Sequence, residues 1–249
     1  MAKIIVFDFD GVIVNTADET VDIALAAYEK MSDQKLKDRE EVRRRLRAAR
    51  PLFKNCEDIY AGLRLILAER SLDVSRLSHE VFDKEAKAFA ADGATFAKKF
   101  YAQREVMISK DVDKWAAMNP VYPGMRDAFL AAQQSHTVVI ATTKNKVAVK
   151  ILLSKNNINL PDSHIVSREF STDKLDQMRH IIRQYQARPE DILYIEDLYE
   201  WLKYVGKLGV RLVLVSWGYG RAKDFEEERK AGVAVVGTAG ELGEVIKNF

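Results

Sequence analysis

The chain has 249 residues, enough for one large domain or for a core with a smaller companion. Hydrophobic residues make up 47% and charged residues 31%, the balance of an ordinary globular protein rather than a disordered one. A net charge of +2 offers no large field to attract nucleic acid or a membrane surface, and the single cysteine, Cys56, excludes an internal disulfide framework or a cysteine-based zinc cluster.

The apolar start, Met1-Ala2-Lys3-Ile4-Ile5-Val6, meets Asp8 too early for a signal peptide. No apolar run approaches the roughly 20 residues that span a bilayer, so a cytoplasmic location with no membrane partner is expected. Residues 3–7, once Lys3 is passed, form an apolar run ending in acidic residues and glycine, the pattern of a fully buried strand. More than a hundred residues without a convincing strand follow. Thr16 and Glu19 have capping-box spacing, and Val21, Leu25 and Tyr28 continue a helical stripe. Residues 40–50, 58–70 and 78–104 also read as helices, the last broken or bent near Gly93. Residues 16–120 are therefore expected to form a helical insertion. Asn119-Pro120 and Pro123-Gly124 mark the return to the core.

Further apolar runs lie at 137–141, 192–195 and 211–215, with a weaker one at 234–236. Helical patterns separate them, at 144–153 and through Leu175, Met178, Ile182 and Tyr185. Strands alternating with helices predict an α/β fold, a doubly wound parallel sheet. The expected domains are a core of residues 1–15 and 121–249 and an all-helical insert of residues 16–120.

In such a sheet, ligands bind beyond the carboxyl ends of the strands. Asp8-Phe9-Asp10-Gly11-Val12 follows the first strand. Paired carboxylates there suit a hard cation such as Mg²⁺, and Gly11 lets the backbone turn sharply. Thr142 and Thr143 end the 137–141 run, where hydroxyls and free N–H groups can hold phosphate oxygens or cap a helix. Lys174 opens a helix, and Glu196-Asp197 closes another strand.

The order of these groups resembles the haloacid dehalogenase-like superfamily, mostly phosphatases and phosphomutases. Asp8-Phe9-Asp10-Gly11-Val12 looks like its first motif, Thr142 its second, Lys174 its third and Glu196-Asp197 its fourth. The insertion resembles the helical cap of many members. The resemblance implies a Rossmann-like core and a set of roles. Asp8 would be the nucleophile that forms an aspartyl-phosphate, and Asp10 the general acid and base. Thr142 and Lys174 would hold the phosphoryl group. Mg²⁺ would sit on Asp8, the Asp10 carbonyl and Asp197, with Glu196 as a ligand or a partner of one. Lys174 is preferred to Lys144 because its distance to Asp197 fits one helix, one turn and one strand.

By the same resemblance, an acid at Asp10 favours phosphate esters over halide or phosphonate substrates. Glu196, where many relatives have Gly, resembles the sugar-phosphate mutase branch and keeps mutase chemistry open. Trp201 stands where many relatives have Asp or Gly and cannot bind metal. The expected reaction is hydrolysis of a small phosphorylated metabolite. A phosphomutase and a non-catalytic regulator on the same fold are the alternatives, the intact motif set counting against the second. For specificity, the resemblance points to the insertion. Arg43, Arg44, Arg45, Arg47 and Arg50 form a basic run, most of it expected to be a solvated face. Arg50, before Pro51, is the better substrate contact and Arg104 a weaker one, because a guanidinium grips phosphate or carboxylate by two hydrogen bonds. Ser216-Trp217-Gly218-Tyr219-Gly220 either lines the site's mouth or packs on the core. His136 and His164 lie at the wrong strand ends and are read as structural.

Overall fold

The computed structural model describes residues 3–249; Met1 and Ala2, which open the segment expected not to be a signal peptide, lie outside the described residues. The chain divides into two compact units, Met1–Asn15 with Pro120–Phe249, and Thr16–Asn119. No helix among the described residues is long and apolar enough to cross a membrane.

The first unit is built on a six-stranded sheet: β1 (Ile4–Phe7), β2 (Thr137–Ala141), β3 (Ile165–Val166), β4 (Ile192–Glu196), β5 (Arg211–Val215) and β6 (Ala234–Val236). All pairings are parallel, in the order β3-β2-β1-β4-β5-β6. Strands of parallel sheets are buried on both faces, which is why β1 and β4 read as unbroken apolar runs. Alternate residues serve opposite faces. Ile4, Val6, Val139 and Tyr194 share a core with Met178 and Ile181 of the helix Lys174–Tyr185 and with Leu202 of the helix Tyr199–Val205. On the other face, the Phe7 ring lies 5.1 Å from that of Phe129, in the helix Met125–Ser135.

One strand has no counterpart in the sequence expectation. β3 is two residues long, too short to show a period, and only pairing with Ile140 and Ala141 defines it. The two histidines lie far from the carboxyl ends. His164 Nδ1 is 2.8 Å from the Val138 carbonyl, and His136 stacks near Phe249.

The second unit is helical, with principal helices Ala17–Ser32, Arg39–Ala48, Cys56–Ala68, His79–Ala86 and Ala90–Lys110. Its core is its own, centred on Leu25, Leu46, Leu63, Phe82, Phe96 and Phe100. Three local expectations are corrected. The break in the 78–104 pattern falls at Lys87–Phe89, not at Gly93, which lies inside Ala90–Lys110. A Cβ on Gly93 would crowd Glu57, so that glycine marks close helix packing rather than a bend. The Arg39–Ala48 helix stops two residues before Arg50, which opens a short 3₁₀ turn with Pro51. The capping box does not form, because Thr16 makes no side-chain cap and Glu19 is drawn elsewhere.

Glu19 is fully buried and accepts from Arg104 Nε at 2.7 Å, Arg104 Nη2 at 3.0 Å and Trp115 Nε1 at 2.9 Å. Arg104 is itself only 3% exposed and lies over Phe100 and Tyr101. The arginine run is likewise engaged rather than merely solvated. Arg43 pairs with Asp18 and Asp22, Arg47 with Asp18, and Arg44 with Glu41. Arg45 donates to the carbonyls of Ile66, Glu69 and Leu72, supplying donors to the end of the helix Cys56–Ala68.

Removing one member of a buried pair leaves the other charge uncompensated, at a cost of about 3–5 kcal/mol. Glu19→Ala should therefore lower stability by roughly that amount in urea denaturation, while Glu41→Ala, on the exposed Arg44 pair, should change it little. A Glu19→Ala loss as small as that of Glu41→Ala would remove the buried pair as a major support of this unit.

Candidate active site at the strand ends

The strand order reverses direction at β1, which has β2 on one side and β4 on the other. Such a reversal opens a crevice at the carboxyl ends of the central strands. The register pairs Phe7 with both Ile140 and Ile195. The next residue, Asp8, therefore stands level with Ala141 and Glu196. Its backbone N–H donates to the Ile195 carbonyl at 2.9 Å, extending the ladder by one bond.

Asp8, Glu196 and Asp197 each bring a carboxylate oxygen within 4.8 Å of the others. All three residues are buried. Lys174 is the cation among them. Its Nζ donates to Asp8 Oδ1 at 2.5 Å and to the Ala141 carbonyl at 2.6 Å, and lies 3.4 Å from Glu196 Oε2. Asp173 caps the lysine's helix by accepting from Leu175 N at 2.7 Å. Glu196 is held from several sides, by the Tyr194 hydroxyl and by the backbone N–H groups of Asp197 and Leu198 at 3.0 and 3.1 Å. Asp197 Oδ2 accepts from Tyr219 N at 2.7 Å. Its Oδ1 is buried with no hydrogen-bond partner among the described residues.

Three carboxylates against one ammonium leave two negative charges in excess when all are ionised. The titration behaviour reflects that excess. Burial, reinforced by Glu196, raises Asp8 from 3.8 to about 7, despite opposition from Lys174. Burial, then Glu196 and Asp8, push Asp197 well above the usual carboxylate range. Burial alone would depress the Lys174 ammonium, but Asp8 and Glu196 together hold it above its ordinary value. The donors are all hard oxygens, one of them an orphaned buried oxygen. A divalent cation fits this cluster in both charge and chemistry.

A second pair lies beside the first. Asp10 is partly exposed, its Oδ1 3.3 Å from Lys144 Nζ, whose side chain is fully buried. Gly11 turns the chain with φ of 89°, and its N–H closes the turn on the Val14 carbonyl at 2.8 Å. Thr142 is buried, and its Oγ1 accepts from Lys144 N at 3.1 Å. Gln177 fixes the Thr142 carbonyl at 2.8 Å. Thr143, half-buried, sits between β2 and the helix Lys146–Lys155.

The structure thus brings together Asp8, Lys174, Glu196 and Asp197, with Asp10 and Thr142 on adjacent turns. Arg104 has its guanidinium on Glu19 inside the helical unit, and Arg50 Nη1 donates to the Phe53 carbonyl at 2.7 Å. The lysine comparison resolves into two partners: Lys174 meets Asp8, and Lys144 meets Asp10. Sequence reasoning missed Lys144 at Asp10 and Tyr194 at Glu196. The former was visible as the residue just past Thr142-Thr143. The latter looked like an ordinary aromatic in a buried strand, and no local signal set it apart.

The family model of haloacid dehalogenase-like hydrolases matches residues 2–203. A sequence comparison with curated proteins finds no match. Solved structures do share the fold. A predicted phosphatase from Clostridium acetobutylicum is 17% identical, with all of both chains covered and a TM-score of 0.64. A haloacid dehalogenase-like family protein from Streptococcus pneumoniae is 15% identical over 97% of this chain and 96% of its own, with a TM-score of 0.63. A candidate phosphoglycolate phosphatase from Lactobacillus delbrueckii subsp. bulgaricus is 17% identical over 99% of each chain, with a TM-score of 0.63. Identities this low establish likeness of fold, whereas the family match runs from β1 past the acidic end of β4. The chain belongs to the haloacid dehalogenase-like hydrolases.

Proposed function

We propose that the chain is a Mg²⁺-dependent phosphatase of a small phosphorylated metabolite, working through an aspartyl-phosphate on Asp8. The observation that carries this reading is the convergence of Asp8, Glu196 and Asp197 within 4.8 Å around a lysine that touches Asp8. The names of structural relatives as phosphatases point the same way.

Asp8 is the nucleophile, and Lys174 holds its Oδ1 and offsets charge on the phosphoryl oxygens. The buried Thr142 adds a hydroxyl beside the attacked phosphorus, and Thr143 a second contact for the substrate. Asp10, more exposed than Asp8, protonates the departing oxygen and then takes a proton from the water that cleaves the acyl phosphate. Lys144 holds Asp10 in place between those steps. Asp8, Asp197 and the Asp10 carbonyl would hold the ion, with Glu196 tying Lys174 to the cluster. Bound there, Mg²⁺ supplies positive charge to the phosphoryl oxygens. The helical unit serves as the specificity-bearing cap that the family resemblance implies, with Arg50 gripping the non-reacting part of the substrate.

Asp8→Asn should reduce phosphate release from a generic phosphate ester by about 10³-fold or more, with the circular dichroism spectrum unchanged. Turnover close to wild type in that folded variant would remove the covalent mechanism.

The metal reading carries a pH signature. Between pH 3.8 and about 7 the metal-free fold keeps a proton on Asp8 that the unfolded chain has released. Stability of the metal-free protein should therefore fall as pH rises through that window, and Asp197, held well above the usual carboxylate range, adds a further loss of the same sign. Asp58, raised to about 6 by burial, contributes with the same sign and is untouched by Asp8→Asn, so that variant should flatten the pH dependence without abolishing it. Mg²⁺ requires the ionised carboxylates. Its thermal stabilisation should be small near about pH 5.5 and larger near about pH 8. Stabilisation that is equal at both values would count against ligation by Asp8.

Arg50→Ala should impair turnover of the true substrate, found by screening phosphorylated metabolites, far more than that of a small generic ester. Equal losses on both would indicate general damage instead.

A further inference from the structure

The loop after β5 reaches across the sheet to the acidic cluster. Trp217 Nε1 donates to the Val12 carbonyl at 3.1 Å, tying the loop to the turn after β1. The Trp217 ring also lies 6.4 Å from that of Tyr122. Two residues on, Tyr219 N donates to Asp197 Oδ2. Between them, Gly218 lies directly against Asp197. A Cβ built there would overlap Asp197 Cβ, Asp197 Oδ2 and the Gly11 carbonyl. Gly218 does not have the positive φ of Gly11, so space rather than backbone conformation demands a glycine here. Gly220 repeats the pattern on the other side, where a Cβ would overlap the Asp197 carbonyl and the Phe225 ring.

We infer that the Trp217–Gly218–Tyr219 loop is a positioning element that fixes the Asp197 carboxylate, occupying Oδ2 and directing the orphaned Oδ1 to the metal. The inference rests on the metal reading proposed above. A carboxylate with one oxygen anchored by a backbone donor loses its freedom to rotate, and the other oxygen is presented in one orientation. Partners that orient a metal ligand in this way are typically worth 10–100-fold in metal affinity. The backbone N–H at Tyr219 makes the contact independent of that residue's side chain. The identities that matter are Gly218, for its missing Cβ, and Trp217, for its indole N–H.

The test is calorimetric titration of the metal-stripped full chain with Mg²⁺ alone, alongside metal-free melting. Gly218→Ala should weaken Mg²⁺ binding about 10–100-fold, and because its Cβ also meets the Gly11 carbonyl it should lower the metal-free melting temperature as well. Gly243→Ala, where a Cβ meets open space, is the matched control. Trp217→Phe keeps the ring and removes the N–H, and should weaken Mg²⁺ about three- to tenfold. It carries the test alone if Gly218→Ala does not fold. Wild-type affinity in both folded variants, or in Trp217→Phe alone in that event, overturns the role of the loop. A wild-type chain that binds no Mg²⁺ overturns instead the metal reading beneath it.

Discussion

Like charges within 5 Å in a buried site repel strongly, and this sheet forces that arrangement through its register. With Phe7 paired to Ile195, Asp8 and the end of β4 are brought level, and Glu196 and Asp197 meet Asp8 wherever the strands pair correctly. The core cannot relieve the repulsion without breaking the register of its central strands. Compensation therefore comes from the surroundings. Lys174 contributes one charge, while the Tyr194 hydroxyl and three backbone N–H groups, those of Asp197, Leu198 and Tyr219, contribute dipoles. What stays uncompensated is the drive to bind a proton or a cation. The raised titration ranges of Asp8 and Asp197 express the first of these.

Two lysines divide the electrostatic work. Lys174 lies at 2.5 Å from Asp8 and close to Glu196, deep among the charges that must stay fixed. Lys144 lies at 3.3 Å from Asp10, whose side chain is partly exposed. A nucleophile needs a constant orientation, whereas a group that gives and takes protons needs access to substrate and water. The looser contact and greater exposure at Asp10 are what the proposed acid–base role would need, as the tight contact at Asp8 suits the proposed nucleophile.

The candidate site residues could be picked out because they follow buried strands. Asp8, Thr142 and Asp197 each stand just beyond an apolar run, and parallel topology puts all such points on one edge. β3 was not legible, since two residues carry no period. Glu19 was misread for a physical reason. Its spacing from Thr16 is that of a local cap, but a buried Arg104 and Trp115 offer a carboxylate stronger partners than an exposed helix end. The same tertiary override explains the arginine run. Charge alone suggested solvent, while Arg45 in fact satisfies three carbonyls. The Trp217 bond to Val12 spans 205 residues, and no local pattern encodes a contact of that range.

The two units differ in how they use charge, and that difference bears on specificity. In the helical unit the prominent charged groups answer one another: Glu19 meets Arg104, and Asp18 meets Arg43 and Arg47. In the sheet unit the acidic cluster is left in excess of its lysine. An excess that the fold retains against its own stability belongs to function, because packing alone would favour neutral residues at such a site. The helical unit has its own core, centred on residues such as Leu46 and Phe96, and takes no part in that excess. Its surface is therefore open to change without disturbing the carboxylates. A hydrolase of this family could then keep one acidic site and vary what it acts on by altering helices outside the sheet unit.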